Sequence, residues 1–128
     1  LQLTNILHYD EEANLLVAHR HVEEGEWWSK GHIPGRPILP GALMVEMLAQ
    51  AGSVHANLIF HFPENTFVGF AGLDSVRFRG AVDPACDIII AGQVSGGSAA
   101  RKAFRWKGQV LSMDGNILCE GEVFGMGL

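Results

Sequence analysis

The chain has 128 residues, of which 48% are hydrophobic and 18% are charged, a composition that predicts one globular domain over residues 1–128 and argues against disorder. Its net charge of −5 at pH 7 argues against nucleic acid as a partner. No stretch approaches the roughly 18 uninterrupted apolar residues of a membrane span, and no signal peptide is visible, so we expect a cytoplasmic protein. Cys86 and Cys119 lie far apart and are interpreted as reduced thiols in strands.

Two strands are predicted over residues 3–8 and 14–22, around the acidic turn Asp10-Glu11-Glu12. The next segment, from Glu23 to Gly41, is so rich in glycine and proline that regular structure is excluded. It also contains Trp27 and Trp28, which a disordered linker would not carry. We therefore expect a packed, irregular segment that can hold a functional group.

A long helix is predicted from Gly41 to about Phe60, because good helix formers follow Pro40 and the next proline is Pro63. The segment is apolar on nearly every side, which predicts a buried helix. Its polar exceptions follow one another at steps of four, three and four residues and so form one narrow stripe. The stripe consists of Glu46, Gln50, Ser53 and Asn57, whereas His55 lies off it.

The rest of the chain reads as strands separated by turn signals, of which Asp114-Gly115 is the clearest, and Asp83-Pro84 and Gly96-Gly97 are others. The predicted strands are Phe67–Leu73, Ser75–Arg79, Ile88–Ser95, Ala103–Met113 and Ile117–Phe124. Two strands, one helix and several further strands predict an α+β fold, in which an antiparallel sheet wraps around one long central helix.

Two residues suggest chemistry. A carboxylate such as Glu46 in a buried helix must be hydrogen-bonded, paired or neutral, and for this residue alone structure and function are equally good readings. A single histidine such as His32 is more often structural, and no second metal ligand stands near it. Together, however, an imidazole and a carboxyl suit proton transfer. The amide of Gly41, among the first of the helix, could bind a carbonyl oxygen.

Residues 31–50, GHIPGRPILPGALMVEMLAQ, closely resemble the active-site segment of the FabZ-type 3-hydroxyacyl-[acyl-carrier-protein] dehydratases of bacterial type II fatty acid synthesis. The matched positions are His32, Pro34, Pro37, Pro40, Gly41, Leu43, Glu46 and Gln50. The related FabA-type enzymes have aspartate where this chain has Glu46. Similarity continues through residues 70–79 and more loosely to Asp114-Gly115, so that it covers most of the chain.

The resemblance implies a hot-dog fold and a homodimer in which His32 of one protomer faces Glu46 of the other, commonly assembled into a hexamer as a trimer of dimers. The implied substrate is a (3R)-hydroxyacyl chain on acyl carrier protein, with no cofactor and no metal. His32 would remove the α-proton, the Gly41 amide would polarise the thioester carbonyl, and Glu46 would protonate the departing hydroxyl. Gln50 would orient the site.

Two departures from the family pattern stand out. Ile33 replaces the usual phenylalanine, and the family's N-terminal Pro-His-Arg-Tyr-Pro-Phe motif does not precede Leu1. We therefore expect either a truncated chain or a different substrate gate. An acidic acyl carrier protein would be received by basic side chains. The candidates are Lys30, Arg36, Arg77, Arg79, Arg101, Lys102, Arg105 and Lys107.

Other readings remain open. A hot-dog thioesterase could use Glu46 to direct water at the thioester carbonyl, and an enoyl-thioester hydratase would run the elimination in reverse. A non-catalytic protein that binds acyl carriers would tolerate the loss of His32 or Glu46, and the presence of both in the matching context argues against it.

Overall fold

The computed structural model describes residues 5–22, 41–63, 68–80 and 86–127. These residues form six strands and one helix, α1, which covers Gly41–Phe60. The strands are β1 (Asn5–Asp10), β2 (Leu15–Val22), β3 (Val68–Phe78), β4 (Cys86–Ser98), β5 (Ala103–Ser112) and β6 (Ile117–Gly127).

The six strands form one antiparallel sheet in the order β1-β2-β4-β5-β6-β3. In the middle of the sheet, Ile90 pairs with Val110 and Val110 with Cys119, which in turn pairs with Phe78 at the edge strand β3. These four residues therefore lie at the same level along the sheet.

Helix α1 packs on one face of the sheet. Alternate residues of β2 show which face this is, because Leu16, Ala18 and Val22 are buried, whereas their neighbours are half-buried. Burial of about a dozen apolar side chains between the two layers is the main stabilising contribution. The core includes Leu16, Ala18, Val22, Met44, Met47, Leu48, Ala51, Ile88, Ile90, Phe104, Trp106, Val110 and Val123.

Trp106, which is fully buried, lies over two glycines of the sheet. Gly92 and Gly108 pair directly across β4 and β5. A Cβ atom at Gly108 would come within 2.1 Å of the indole ring, and one at Gly92 within 2.5 Å. From the helix side, a Cβ at Gly52 would meet the Trp106 side chain at 3.0 Å. The absence of side chains at these glycines therefore lets the indole fill the space between helix and sheet.

The predicted helix and the antiparallel sheet are confirmed, with three corrections. Residues 67–73 and 75–79 were expected to be separate strands, but one strand passes through Ser75, whose φ of 53° accompanies a register shift. Gly96-Gly97 was expected to be a turn but lies inside β4, and the turn follows Ser98 instead. The third correction concerns the helix, which is not buried on every side because its polar stripe is open. The predicted turn signal Asp83-Pro84 falls outside the described residues.

Candidate active site

Gly41 is the first residue of α1 and is half-buried. The first amides of a helix have no partner within it and are available to an external acceptor. The ring of Phe78, from β3, lies directly against this residue, since a Cβ atom at position 41 would be 2.8 Å from Phe78 Cε1. Because glycine has no side chain, Gly41 lets the Phe78 ring, which is 55% exposed, approach the start of the helix closely.

Glu46 is exposed, which corrects the expectation of a carboxylate buried within the helix. It lies on the side of α1 opposite the residues that contact the sheet, such as Leu48 and Ala51. Gln50 and Ser53 are half-buried and Asn57 is exposed, so the predicted polar stripe exists and faces away from the sheet. His32 lies outside the described residues, and its distance from Glu46 stays a prediction.

Of the basic side chains considered for a carrier protein, Lys30 and Arg36 fall outside the described residues, and four of the others occupy opposite ends of the sheet. Phe78, which touches Gly41, is level with Val110, whereas Lys102 directly precedes Ala103 at the far end of β5. The separation along β5 is 110 − 103 = 7 residues, or about 23 Å at roughly 3.3 Å per residue. Arg77 and Arg79 therefore lie at the Gly41 end, and Arg101 and Lys102 lie at the other.

Two arginines are bound to glutamates of β6. Arg79 Nη2 lies 2.8 Å from Glu120 Oε1, and Arg105 Nη2 lies 2.9 Å from Glu122 Oε1. The hydrogen bond from Arg79 lowers the pKa of Glu120, and bonds from Ser95 and Arg105 lower that of Glu122. Arg105 is also held over the ring of Phe124, 4.2 Å from its centroid. Both guanidinium groups are therefore already paired with carboxylates of the sheet.

His55 is fully buried between helix and sheet, a position that the sequence interpretation did not assign to it. Trp106 Nε1 lies 2.8 Å from His55 Nδ1, and because an indole N–H can only donate, Nδ1 must be the acceptor. Burial lowers the pKa of His55, which keeps the ring neutral with its proton on Nε2. Its spacing of four residues from Ala51 and seven from Leu48 is the signal in the sequence that could have placed it on the buried face.

A cluster of two histidines and one aspartate lies on the outer face of the sheet, at the end of β2. His19 Nε2 and His21 Nδ1 both approach Asp87 Oδ1, at 2.6 and 2.9 Å, and His19 Nδ1 lies 2.7 Å from Asn5 Oδ1. The hydrogen bonds from His19 and His21 lower the pKa of Asp87. The alternation of His19 and His21 on one face of β2 is visible in the sequence, but their partner on β4 is not.

The remaining groups do not add to the site. Cys119 is buried, and burial with the nearby Glu120 charge raises the pKa of its thiol to about 11, so it is a poor nucleophile. Within the described ranges, no three or more His, Cys, Asp or Glu side chains are arranged to hold a metal ion.

A depression of about 690 Å³ that includes Arg77 and Lys107 opens on the outer face, which the sheet separates from the helix. No described helix combines the length and apolar character that crossing a bilayer requires.

Comparison with known proteins gives the family. The model of the FabA-like domain matches residues 1–122. Among solved structures, a thioesterase from Haemophilus influenzae superposes with a TM-score of 0.71 at 14% identity, over 96% of this chain and 76% of that one. A mutant thioesterase from Pseudomonas aeruginosa gives 0.71 at 15% identity, over 96% and 81%. AziG from S. sahachiroi gives 0.71 at 16% identity, over 97% and 90%.

At these identities the structural matches establish the architecture alone, and that architecture is the predicted hot-dog fold, a six-stranded antiparallel sheet with one helix. The family match spans nearly the whole chain and includes the His32–Gln50 segment. The chain belongs to the FabA-like domain family.

Proposed function

We propose that the protein is an enzyme acting on acyl thioesters, and that it dehydrates (3R)-hydroxyacyl chains on acyl carrier protein to trans-2-enoyl chains. The observation that carries the proposal is the segment His32–Gln50, whose FabZ-type pattern lies within the matched family domain. The described part of that segment begins a helix at Gly41 and turns Glu46 away from the sheet. A helix N-terminus at Gly41 and an exposed carboxyl at Glu46 support this proposal.

The geometry of α1 is compatible with this reaction. Glu46 follows Gly41 by five residues, a rise of about 7.5 Å along the axis at roughly 1.5 Å per residue. The same five residues turn by about 140° around the axis, so Glu46 projects from a different side of α1 than Gly41, while the tilt of helical side chains towards the N-terminus shortens their separation along the axis. In the proposed binding mode, a thioester whose carbonyl oxygen accepts a bond from the Gly41 amide spans the first turns of the helix to reach a Glu46 carboxyl.

In the proposed elimination, His32 removes the α-proton while the Gly41 amide stabilises the negative charge that develops on the carbonyl oxygen. The electron pair of the broken C–H bond then forms the α,β double bond, and the β-carbon–oxygen bond breaks. Glu46 gives its proton to the leaving hydroxyl, which departs as water. Gln50, one turn beyond Glu46, would help to orient that carboxyl.

The exposure of Glu46 supports a site completed by a second copy of the chain. An elimination site works best when water is excluded, and within the described residues the side of α1 that carries Glu46 is open. We propose a homodimer in which the partner covers this side with its own His32 segment, and a trimer of such dimers as the full assembly.

We propose acyl carrier protein as the carrier of the acyl chain. The two ends of the sheet present different basic side chains to it. Arg77 and Arg79 are at the Gly41 end, whereas Arg101 and Lys102 are about 23 Å away along β5. We expect Arg77→Glu to raise the apparent KM for an acidic carrier substrate and Arg101→Glu to leave it unchanged. The reverse result would place the carrier at the other end.

Thioester hydrolysis is the second candidate, and two specific observations favour it. Two of the matched structures are named thioesterases, and an exposed Glu46 has solvent beside it. In this reaction Glu46 would direct a water molecule at a carbonyl carbon whose oxygen is bound at Gly41. These neighbours and the exposed carboxyl support hydrolysis at least as well as they support dehydration, which rests on the motif.

A product assay separates the two reactions. The protein is incubated with 3-hydroxybutyryl and crotonyl thioesters, and free thiol and the enoyl absorbance are followed together. Interconversion of the two thioesters without thiol release supports the dehydratase, while thiol release from both supports the thioesterase. If Glu46→Gln retains full turnover of either kind, the proposed site is wrong. Asp114→Asn, in the exposed turn between β5 and β6, serves as the matched control.

A further inference from the structure

Phe78 is an unusual residue for the edge of a sheet, because a large aromatic side chain is left 55% exposed there. It pairs with Cys119, which is buried on the helix side, so the Phe78 ring stands on the face that carries α1. Its neighbour on that face is Gly41, and no Cβ atom would fit between them. One side of the ring is therefore packed on the start of the helix, and the rest is open.

We propose that Phe78 determines which acyl groups react, by packing against the α-carbon of a thioester bound at Gly41 and excluding substituents there. This inference rests on the proposed function. A carbonyl oxygen accepting from the Gly41 amide is held about 2.9 Å from that nitrogen, so the thioester carbons lie within a few ångströms of the Gly41 backbone. The Phe78 ring lies against that residue, and in the proposed binding mode the α-carbon packs on the exposed part of the ring.

The consequence for the substrate is specific. Acyl chains with an unsubstituted α-carbon fit against the ring, whereas a 2-methyl branch requires the ring to move. Phe78 cannot retreat towards the helix, because it is packed against Gly41. One methyl group that does not fit an apolar site changes the specificity constant by roughly tenfold or more.

The test compares 3-hydroxybutyryl-N-acetylcysteamine with its 2-methyl counterpart in the wild type, Phe78→Leu and Phe78→Ala. We expect the ratio of kcat/KM for the branched over the unbranched substrate to rise about tenfold in Phe78→Ala and less in Phe78→Leu. Met126→Ala is the matched control, since Met126 is 57% exposed and lies at the opposite end of the sheet. An unchanged ratio in both Phe78 variants, folded by circular dichroism, overturns the proposal.

A second readout does not depend on turnover. The amide analogue of the unbranched substrate, with NH in place of sulfur, keeps the carbonyl and resists hydrolysis. Nuclear Overhauser contacts between its α-protons and the ring protons that disappear in Phe78→Leu support the proposed packing. If the wild type turns over neither thioester, the proposed function fails, and these contacts then decide about Phe78 alone. Bound analogue without such contacts, or no binding at all, overturns the inference.

Discussion

Trp106 donates its indole N–H to His55 Nδ1 over 2.8 Å inside the core, and this bond joins the second half of α1 to β5. The ring of Tyr9 stands nearly perpendicular to His55, with 5.7 Å between the ring centroids. The helix is thereby attached to the sheet by a directional contact as well as by apolar packing. Removing the indole donor in Trp106→Phe would leave a buried acceptor unsatisfied, at a cost of about 1–3 kcal/mol in addition to lost packing.

The neutral state of His55 makes stability depend on pH. Burial lowers its pKa in the folded protein, while in the unfolded chain the imidazole takes up a proton near the ordinary value of 6.5. The unfolded state therefore binds more protons below that pH, and stability present above about pH 6.5 is lost as the pH falls. Urea unfolding between pH 5 and 7.5 should show this slope, and His55→Gln should reduce it. His8→Gln, on an exposed position of β1, is the control; an equal slope in His55→Gln contradicts the assignment.

Asp87 predicts a second, more acidic transition. Its pKa is lowered by the hydrogen bonds from His19 and His21, so the stability it contributes is present above the ordinary value of 3.8 and is lost as the pH falls through the lower folded value. Asp87→Asn should lower the unfolding temperature at pH 6 and flatten its decline below about pH 4. Asp114→Asn should change neither quantity, because Asp114 is exposed in a turn. Identical acid profiles for Asp87→Asn and the wild type would contradict the prediction.

Glu46 should separate activity from stability. Because Glu46 is exposed in the single chain and is covered only in the proposed dimer, Glu46→Gln should change the free energy of unfolding of the protomer by less than about 0.5 kcal/mol. Loss of a general acid or base should lower turnover by roughly two to four decades, and His32→Ala should do the same. Thioester turnover and chemical unfolding measured on one preparation check both halves of the prediction. A large loss of stability in Glu46→Gln would show that the carboxyl is structural.

Gly108 tests the packing of the indole. A methyl group there would come within 2.1 Å of the Trp106 ring, so Gly108→Ala should destabilise the fold by about 1–3 kcal/mol. Gly96→Ala, in β4, is the matched control, because its Cβ would meet only the flexible Arg105 side chain at 3.4 Å. Chemical unfolding of the two variants gives the comparison, and equal stabilities would contradict the packing described.

The bounds of α1 were predictable because Pro40 and Pro63 flank a run of helix formers, a local signal. The continuous strand through Ser75 was not predicted, since this residue, with its positive φ, lies in an irregularity between two positions that pair with β6. The exposure of Glu46 was not predicted, because apolar residues such as Val45 and Met47 flank it and composition does not show which side of the helix a sheet covers. The candidates Gly41 and Glu46 were predicted from a contiguous motif, and their roles stay predictions. Phe78 lies on β3, which comes next to Gly41 only in the folded chain, so no contiguous motif indicates it.

Gly92 and Gly108, which lie beneath the Trp106 indole, restrict how β4 and β5 can align. Gly92 and Gly108 lie abreast, and each leaves a gap that one ring occupies. A slip of β4 by a single residue would turn Ala91 or Gln93 inward at the place where the gap is needed, and the tryptophan would have no space. A misaligned β4–β5 hairpin is thus penalised sterically, and a single large side chain favours one pairing of two long strands.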